Sequence, residues 1–266
     1  MASIEKNKFT DELIDAFQIR REMLPNLAMP WETAGCVTKE AAEQTGLCSE
    51  IPVFVGCNDF FSAILGSGAA RSGFAFDITG TSEHVGIITL KDVPTSELIS
   101  GPYFKGHVEY GVTASSGTSI NWASKNFPKG CKSFQGMLPK IAGGQSKPPL
   151  FLPYLNGERA PIWDSKARGV FFGLDSTHTQ DDLFYAVKEG VALSVFDIWH
   201  RLSKQPVMQV NKIIACGGMG DDNALNKIKA SLCGLPIVQS AQKESGALGA
   251  AMLAMYGSGF FSSLEE

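Results

Sequence analysis

What most limits how this 266-residue chain can fold is the alternation between residues 212 and 257. Lys212-Ile213-Ile214-Ala215-Cys216 reads as a buried strand, Gly217-Gly218-Met219-Gly220 turns the chain, and Asp221 to Leu232 has helical period and is stopped by Gly234. Pro236-Ile237-Val238 is a second short strand, and Ser245 to Tyr256 is a helix of small residues stopped by Gly257. Strands separated by a helix cannot close as a hairpin, so they pair in parallel through a crossover that covers the sheet. Just upstream, Leu183, Ala186, Val187, Gly190, Val191, Ser194, Val195, Ile198 and Leu202 mark one face of a helix of about six turns. Three apolar runs, at 52–56, 74–79 and 85–90, are bounded by Gly, Asp or Ser and read as strands. The order is that of an α/β domain of the ribonuclease H-like, actin-like type, a mixed central sheet flanked by helices.

Nearer the start, Leu13, Ile14, Phe17 and Ile19 recur near helical period between Thr10, a candidate N-cap, and the stop at Leu24-Pro25; a shorter helix runs from Thr38 to Gly46. The stretch 91–150 holds many Gly, Pro, Ser and Lys residues and reads as an insertion, with its clearest loop at 143–149.

Composition narrows the partners. Lys and Arg number 23 against 27 Asp and Glu, a net charge of −4, with no basic run. Nucleic acid and anionic membrane surfaces need clustered cations, so neither is expected, and a small-molecule partner fits better. The six cysteines include no C-x-x-C pair, and the histidines at 84, 107, 178 and 200 lack metal-ligand spacing, so no zinc or redox site is expected. No apolar window approaches the ~20 residues of a membrane helix, and a cytoplasmic location is the expectation.

No G-x-x-x-x-G-K-[ST] or G-x-G-x-x-G pattern is present, so a phosphate ligand would have to use other turns. Three qualify, each at a strand end. In Gly56-Cys57-Asn58-Asp59 the carboxylate of Asp59 is placed either as a general base at the sheet edge or as a cap on the following helix. In Thr79-Gly80-Thr81-Ser82 a glycine and hydroxyls can surround phosphate oxygens, or simply close a hairpin. Cys216 to Asn223 leads glycines into a helix start, suited to an adenine or phosphate, or to plain βα punctuation with Asp222 or Asn223 as the cap. The block from Phe151 to Asp164, with Gly157-Glu158-Arg159-Ala160-Pro161 at its centre, has neither helix nor strand period and reads as a rigid functional loop or a brace between elements.

Taken in order, these stretches resemble the C-terminal part of the FGGY family of carbohydrate kinases, the group that includes xylulokinase and glycerol kinase. The resemblance is carried by 53–59, Gly80-Thr81-Ser82, the 152–173 block, the Gly217-Gly218 turn, Gly246-Ala247-Leu248-Gly249-Ala250-Ala251, and the run from Gly169 to Glu189 that matches a family signature. Lys188 departs from that signature, where an apolar residue is usual, and is expected to face solvent. The resemblance implies ATP-dependent phosphorylation of a sugar or polyol hydroxyl with Mg²⁺ bridging phosphate oxygens. It assigns Asp59 as catalytic base and Gly80, Thr81 and Ser82 to a phosphate-binding turn. Gly117 and Asn121 fall near ribose and phosphate, and Gly217, Gly218 and Asp222 form the adenosine turn. It further implies that residues 1–50 are the trailing segment of an N-terminal kinase domain and that 51–266 form the C-terminal nucleotide-binding domain. The first phosphate loop would belong to the missing N-terminal domain, so this chain alone is expected to turn over sugar very slowly or not at all, and the cleft face it bares would favour homo-oligomers. The rival readings are a non-catalytic nucleotide- or partner-binding module and a phosphate-ester hydrolase on the same fold.

Overall fold

The computed structural model describes residues 2–3, 8–71, 73–90, 97–104, 106–129, 144, 147–204 and 209–264. Its elements in chain order are β1 (Ala2–Ser3), β2 (Lys8–Phe9), α1 (Asp11–Ala16), β3 (Thr33–Cys36), α2 (Lys39–Thr45), β4 (Pro52–Phe54), α3 (Asp59–Gly66), β5 (Phe74–Thr79), β6 (Glu83–Thr89), β7 (Ile99–Tyr103) and β8 (Gly106–Thr113). There follow α4 (Ser116–Asn126), β9 (Leu150–Leu152), β10 (Val170–Phe172), α5 (Gln180–Leu202), β11 (Lys212–Gly217), α6 (Asn223–Cys233), β12 (Ile237–Gln239) and α7 (Ser245–Gly257). The chain divides into two compact units, residues 60–249, and residues 1–59 with 250–266.

The larger unit is built on a six-stranded sheet in the order β12-β11-β5-β6-β8-β7. β12, β11 and β5 are parallel, and β6, β8 and β7 continue antiparallel. This is the mixed sheet flanked by helices that the sequence pattern implies. One face packs Ala75, Val85, Ile87 and Ile213 against Val195, Ile198, Trp199 and Leu202 of α5, and the other packs Phe76, Val108 and Ile214 against Ile64 of α3. Adjacent residues such as Ala75 and Phe76 serve opposite cores, as the two-residue repeat of a strand requires. α5 opens with a capping box, in which the Thr179 hydroxyl accepts from the Asp182 amide and the Asp182 carboxylate accepts from the Thr179 amide.

Two sequence expectations change here. The stretch 91–150 reads from sequence as an insertion, yet β7 and β8 take the last two places of the sheet and α4 packs on α5 through Ile120 and Val191. Its Gly and Pro residues mislead because they answer packing, not loop formation: a side chain on Gly111 would run into Ile198 at 2.7 Å, and Pro102 lies on the edge strand β7, where a missing N–H is tolerated. The loop expected at 143–149 falls mostly outside the described residues. The run 52–56 does not join the central sheet. β4 pairs antiparallel with β3 in the smaller unit, and Val53 and Val55 are exposed, whereas strands inside a parallel sheet are buried on both faces.

In the smaller unit α2 is capped by the Thr38 hydroxyl, which accepts from the Ala41 amide, and ends at Gly46 with φ 76°. The helix expected from Thr10 to Met23 is cut to α1, because Gln18 turns left-handed at φ 52° and of the four apolar positions only Ile14 is buried. Thr10 holds the N-cap position without a side-chain hydrogen bond. Toward the C-terminus Gly257 lies tight against the Trp31 carbonyl and the Phe54 ring, and Trp31 meets Tyr256 edge-on at 5.3 Å.

Candidate active site

Because β5, β11 and β12 are parallel, their carboxyl ends share one edge of the sheet, the place where open α/β sheets bind ligands. At the end of β5 the chain turns back into β6 through Gly80-Thr81-Ser82, closed by the Gly80 amide donating to the Ser82 carbonyl at 2.8 Å, with Thr79 and Glu83 paired across its base. The start of α4 underlies this turn. The Gly117 amide donates to the Gly80 carbonyl at 3.2 Å and the Thr118 amide to the Thr81 carbonyl at 3.3 Å. Gly117 has to be glycine, since a Cβ there would press into the Gly80 carbonyl. Asn121 lies one helical turn further along α4 and is exposed.

At the end of β11 comes the second turn. Gly217, at φ 88°, approaches the Thr79 carbonyl too closely for any side chain, and a Cβ on Gly220 would meet Cys216 at 2.8 Å. Gly218 by contrast faces open space. The turn is held from behind by Asn226, whose side-chain amide donates to the Gly220 carbonyl at 2.8 Å. Asp222 caps α6, accepting from the Leu225 amide at 3.0 Å. A cleft of about 470 Å³ opens here between the ends of β11 and β12, lined by Gly217, Gly218, Asp221, Gln239, Ser240 and Gln242 among others. That volume suits a small organic ligand. Gly80, Gly117, Gly217 and Gly218, expected separately from the sequence, are thus drawn into one region, with Met219 3.2 Å from where a Gly117 Cβ would lie.

The 151–164 block acts as a brace for this region. Glu158, buried, accepts through one oxygen from the Ala114 amide at 2.6 Å and the Arg159 amide at 2.7 Å. Burial pushes its carboxyl up, against the pull of those two N–H groups. The Ser119 hydroxyl donates to the Pro153 carbonyl at 3.2 Å, and the Asn156 amide to the Ser115 hydroxyl at 3.3 Å, so the block fixes the first turn of α4. Asp59 opens α3 and is exposed. Within the larger unit α3 lies close to the 245–249 segment, where side chains on Gly66 or Gly249 would strike the Ser245 or Ser62 backbone respectively.

Residues 76–258 match the C-terminal domain of the FGGY family of carbohydrate kinases, and residues 1–66 match that family's N-terminal domain. The chain belongs to the FGGY family of carbohydrate kinases. Among relatives, a xylulose kinase from Lactococcus lactis subsp. lactis (strain IL1403) is 32% identical over 273 residues, covering 100% of this chain and 54% of that protein. Among solved structures, a ligand-bound xylulose kinase from Lactobacillus acidophilus superposes with a TM-score of 0.82 at 26% identity, over 97% of this chain and 53% of that one. A gluconate kinase from the same organism gives 0.81 at 27% identity, over 97% and 53%. The chain spans about half the length of the relatives it matches.

One position of the FGGY signature is corrected. Lys188, expected to face solvent, is 6% exposed, and its ammonium pairs with Asp222 at 2.5 Å. α5 is enclosed on most sides, so a charge at this position needs a partner, and the cap of α6 supplies it. Sequence reasoning also missed Asp77, Glu83 and Lys229, three charged residues buried beneath the Gly80–Ser82 turn. The available signals were a carboxylate inside the apolar strand Phe74-Ala75-Phe76-Asp77-Ile78 and a lysine on the same helix face as Leu225.

Proposed function

We propose that this chain supplies the nucleotide-binding half of an ATP-dependent sugar or polyol kinase. The observation that carries this reading is the convergence of the Gly80–Ser82 turn, the α4 start and the Gly217-Gly218 turn at the carboxyl ends of parallel strands, beside a cleft of about 470 Å³. The residues fit a nucleotide: Gly218 leaves room for a flat ring against the main chain, and the turn at 80–82 offers neutral donors for phosphate. Family membership and the likeness to xylulose, gluconate and glycerol kinases support the substrate class.

In this reading ATP is the phosphoryl donor. Asp59 accepts the proton of the attacking hydroxyl, whose oxygen forms a bond to the γ-phosphorus as the bond to the β-phosphate oxygen breaks, leaving ADP. Among the described residues no three His, Cys, Asp or Glu side chains gather to hold a metal. The Mg²⁺ implied by the family would enter with the nucleotide and would supply charge neutralisation for the transferring phosphoryl group. By the family resemblance the first phosphate loop would lie in the N-terminal domain, so turnover by this chain is expected only when such a domain is present. A cytoplasmic location goes with an ATP-dependent reaction. Among the described residues no helix is long and apolar enough to cross a membrane.

The test is a coupled ADP-release assay with a panel of xylulose, gluconate and glycerol, run on this chain with an FGGY N-terminal domain added. Sugar-dependent ADP release is expected. Asp59→Asn should lower kcat by roughly 10²–10⁴-fold with ATP affinity kept. Phosphate release that ignores sugar would point instead to a hydrolase, and near-normal turnover by Asp59→Asn would remove that residue from the role of base.

A further inference from the structure

Directly beneath the Gly80–Ser82 turn lies a cluster of charge with no access to water. Lys229 of α6 is 0% exposed, Asp77 of β5 1% and Glu83 of β6 0%. The Lys229 ammonium bonds to Asp77 at 2.8 Å and to Glu83. The Thr79 hydroxyl lies 3.1 Å from one Glu83 oxygen and 3.3 Å from Asp77, and the Ser116 hydroxyl donates to the other Glu83 oxygen at 2.6 Å. Thr79 and Glu83 are the two residues that flank the turn, Ser116 is the first residue of α4, and Lys229 belongs to the helix that leaves the Gly217-Gly218 turn. Glu83 is therefore tied at once to both sides of one ligand turn, to the helix start beneath it, and to the helix of the other turn.

Stability alone gives a poor account of such a cluster. Replacing a buried ion network by apolar residues of similar volume is often neutral or stabilising, because desolvating the charges offsets much of their attraction. What apolar groups cannot provide is directional bonding that fixes several elements in one arrangement. Neutral phosphate donors work only when held close to the position their ligand demands. We infer that Lys229, Glu83 and Asp77 are positioning residues for nucleotide phosphate: the cluster sets the Gly80–Ser82 turn and the start of α4 in register with the adenosine turn. The charge count is compatible with an anion above it. One lysine cannot neutralise two carboxylates, and burial together with the Glu83 charge favours a proton on Asp77, leaving the cluster neutral.

This inference rests on the nucleotide reading above, and the test separates the two. ATP and adenosine binding to the full chain are measured by calorimetry, alongside urea unfolding. The triple variant Asp77→Leu/Glu83→Met/Lys229→Met removes all the charge together and is expected to stay folded. Its ATP affinity should fall about tenfold or more while adenosine affinity stays within about twofold, a split that a purely structural role would not produce. Ser116→Ala leaves the charges paired and removes only the link from Glu83 to α4. It should weaken ATP about threefold without moving adenosine, and it decides the matter if the triple variant does not fold. Unchanged ATP affinity in a folded triple variant, or in Ser116→Ala if the triple variant does not fold, overturns the inference and leaves the nucleotide reading standing. A wild-type chain that binds neither ligand overturns both.

Discussion

The amide of Gly117 donates to the carbonyl of Gly80 at 3.2 Å, at a separation that leaves no room for a Cβ on Gly117. A helix start and a hairpin turn meet here main chain to main chain, in addition to the Ser116–Glu83 side-chain bond, and the turn is kept close to α4.

Gly117→Ala should therefore separate the two. Forcing one methyl into a filled site costs about 1–3 kcal/mol, and any relief must come from displacing the turn. ATP binding is expected to weaken about tenfold, with adenosine little changed, as read by calorimetry. A variant with wild-type stability and ATP affinity would show that the turn does not depend on this contact.

The ion pair between Lys188 and Asp222 makes a second prediction. Lys188→Met strands a half-buried carboxylate and should lower stability by about 1–3 kcal/mol. Adding Asp222→Asn should recover most of that loss, since asparagine still caps α6 while needing no counter-charge. Burial works against the Asp222 carboxylate, but Lys188 and the Leu225 amide hold it below the usual range, so the pair's contribution is present above the ordinary aspartate value and is lost as pH falls. If the two substitutions simply add in a urea double-mutant cycle, the pair is not coupled.

Asp77 gives a dependence of opposite sign. Burial first, and the Glu83 charge second, push its carboxyl up to about 8 from an ordinary 3.8. Between those values the folded chain holds a proton that the unfolded chain releases, so this group stabilises the fold at low pH and loses that contribution as pH rises toward about 8. The other groups facing it do not titrate inside the window from pH 5 to 8. Burial opposes Glu83, but Lys229 and its hydrogen bonds hold it low; Lys229 is raised by the two carboxylates despite burial; and the Cys216 and Cys233 thiols are pushed up, chiefly by burial. The urea midpoint should fall across that window, and Asp77→Asn should flatten the fall. An identical slope in the asparagine variant would rule Asp77 out as its source.

The contrast between what the sequence showed and what it hid has a physical pattern. Strands β5, β11 and β12 and helices α2, α5, α6 and α7 were legible because each combines a regular apolar period with a local stop, such as Gly46 or Gly234. β7 and β8 were not, because their glycines and proline answer contacts with Thr89, Ile198 and the sheet edge, none of them local in sequence. The candidate turns could be named from glycine and hydroxyl content, but their convergence depends on parallel pairing that brings Thr79 beside Gly217. The charged cluster stayed hidden because Lys229 and Asp77 are far apart in the chain and an isolated charge in an apolar pattern does not announce its partner.

The central claim, that the Gly217-Gly218 turn and its cleft bind nucleotide, is tested most directly by titrating ATP into the full chain and into Gly218→Trp. A Cβ on Gly218 would meet no atom within 4 Å, and its φ is not left-handed, so the indole can enter the cleft without disturbing the fold. Saturable binding by the wild type, abolished in a variant of unchanged unfolding midpoint, is the expected result; equal ATP affinity in the two proteins would contradict it.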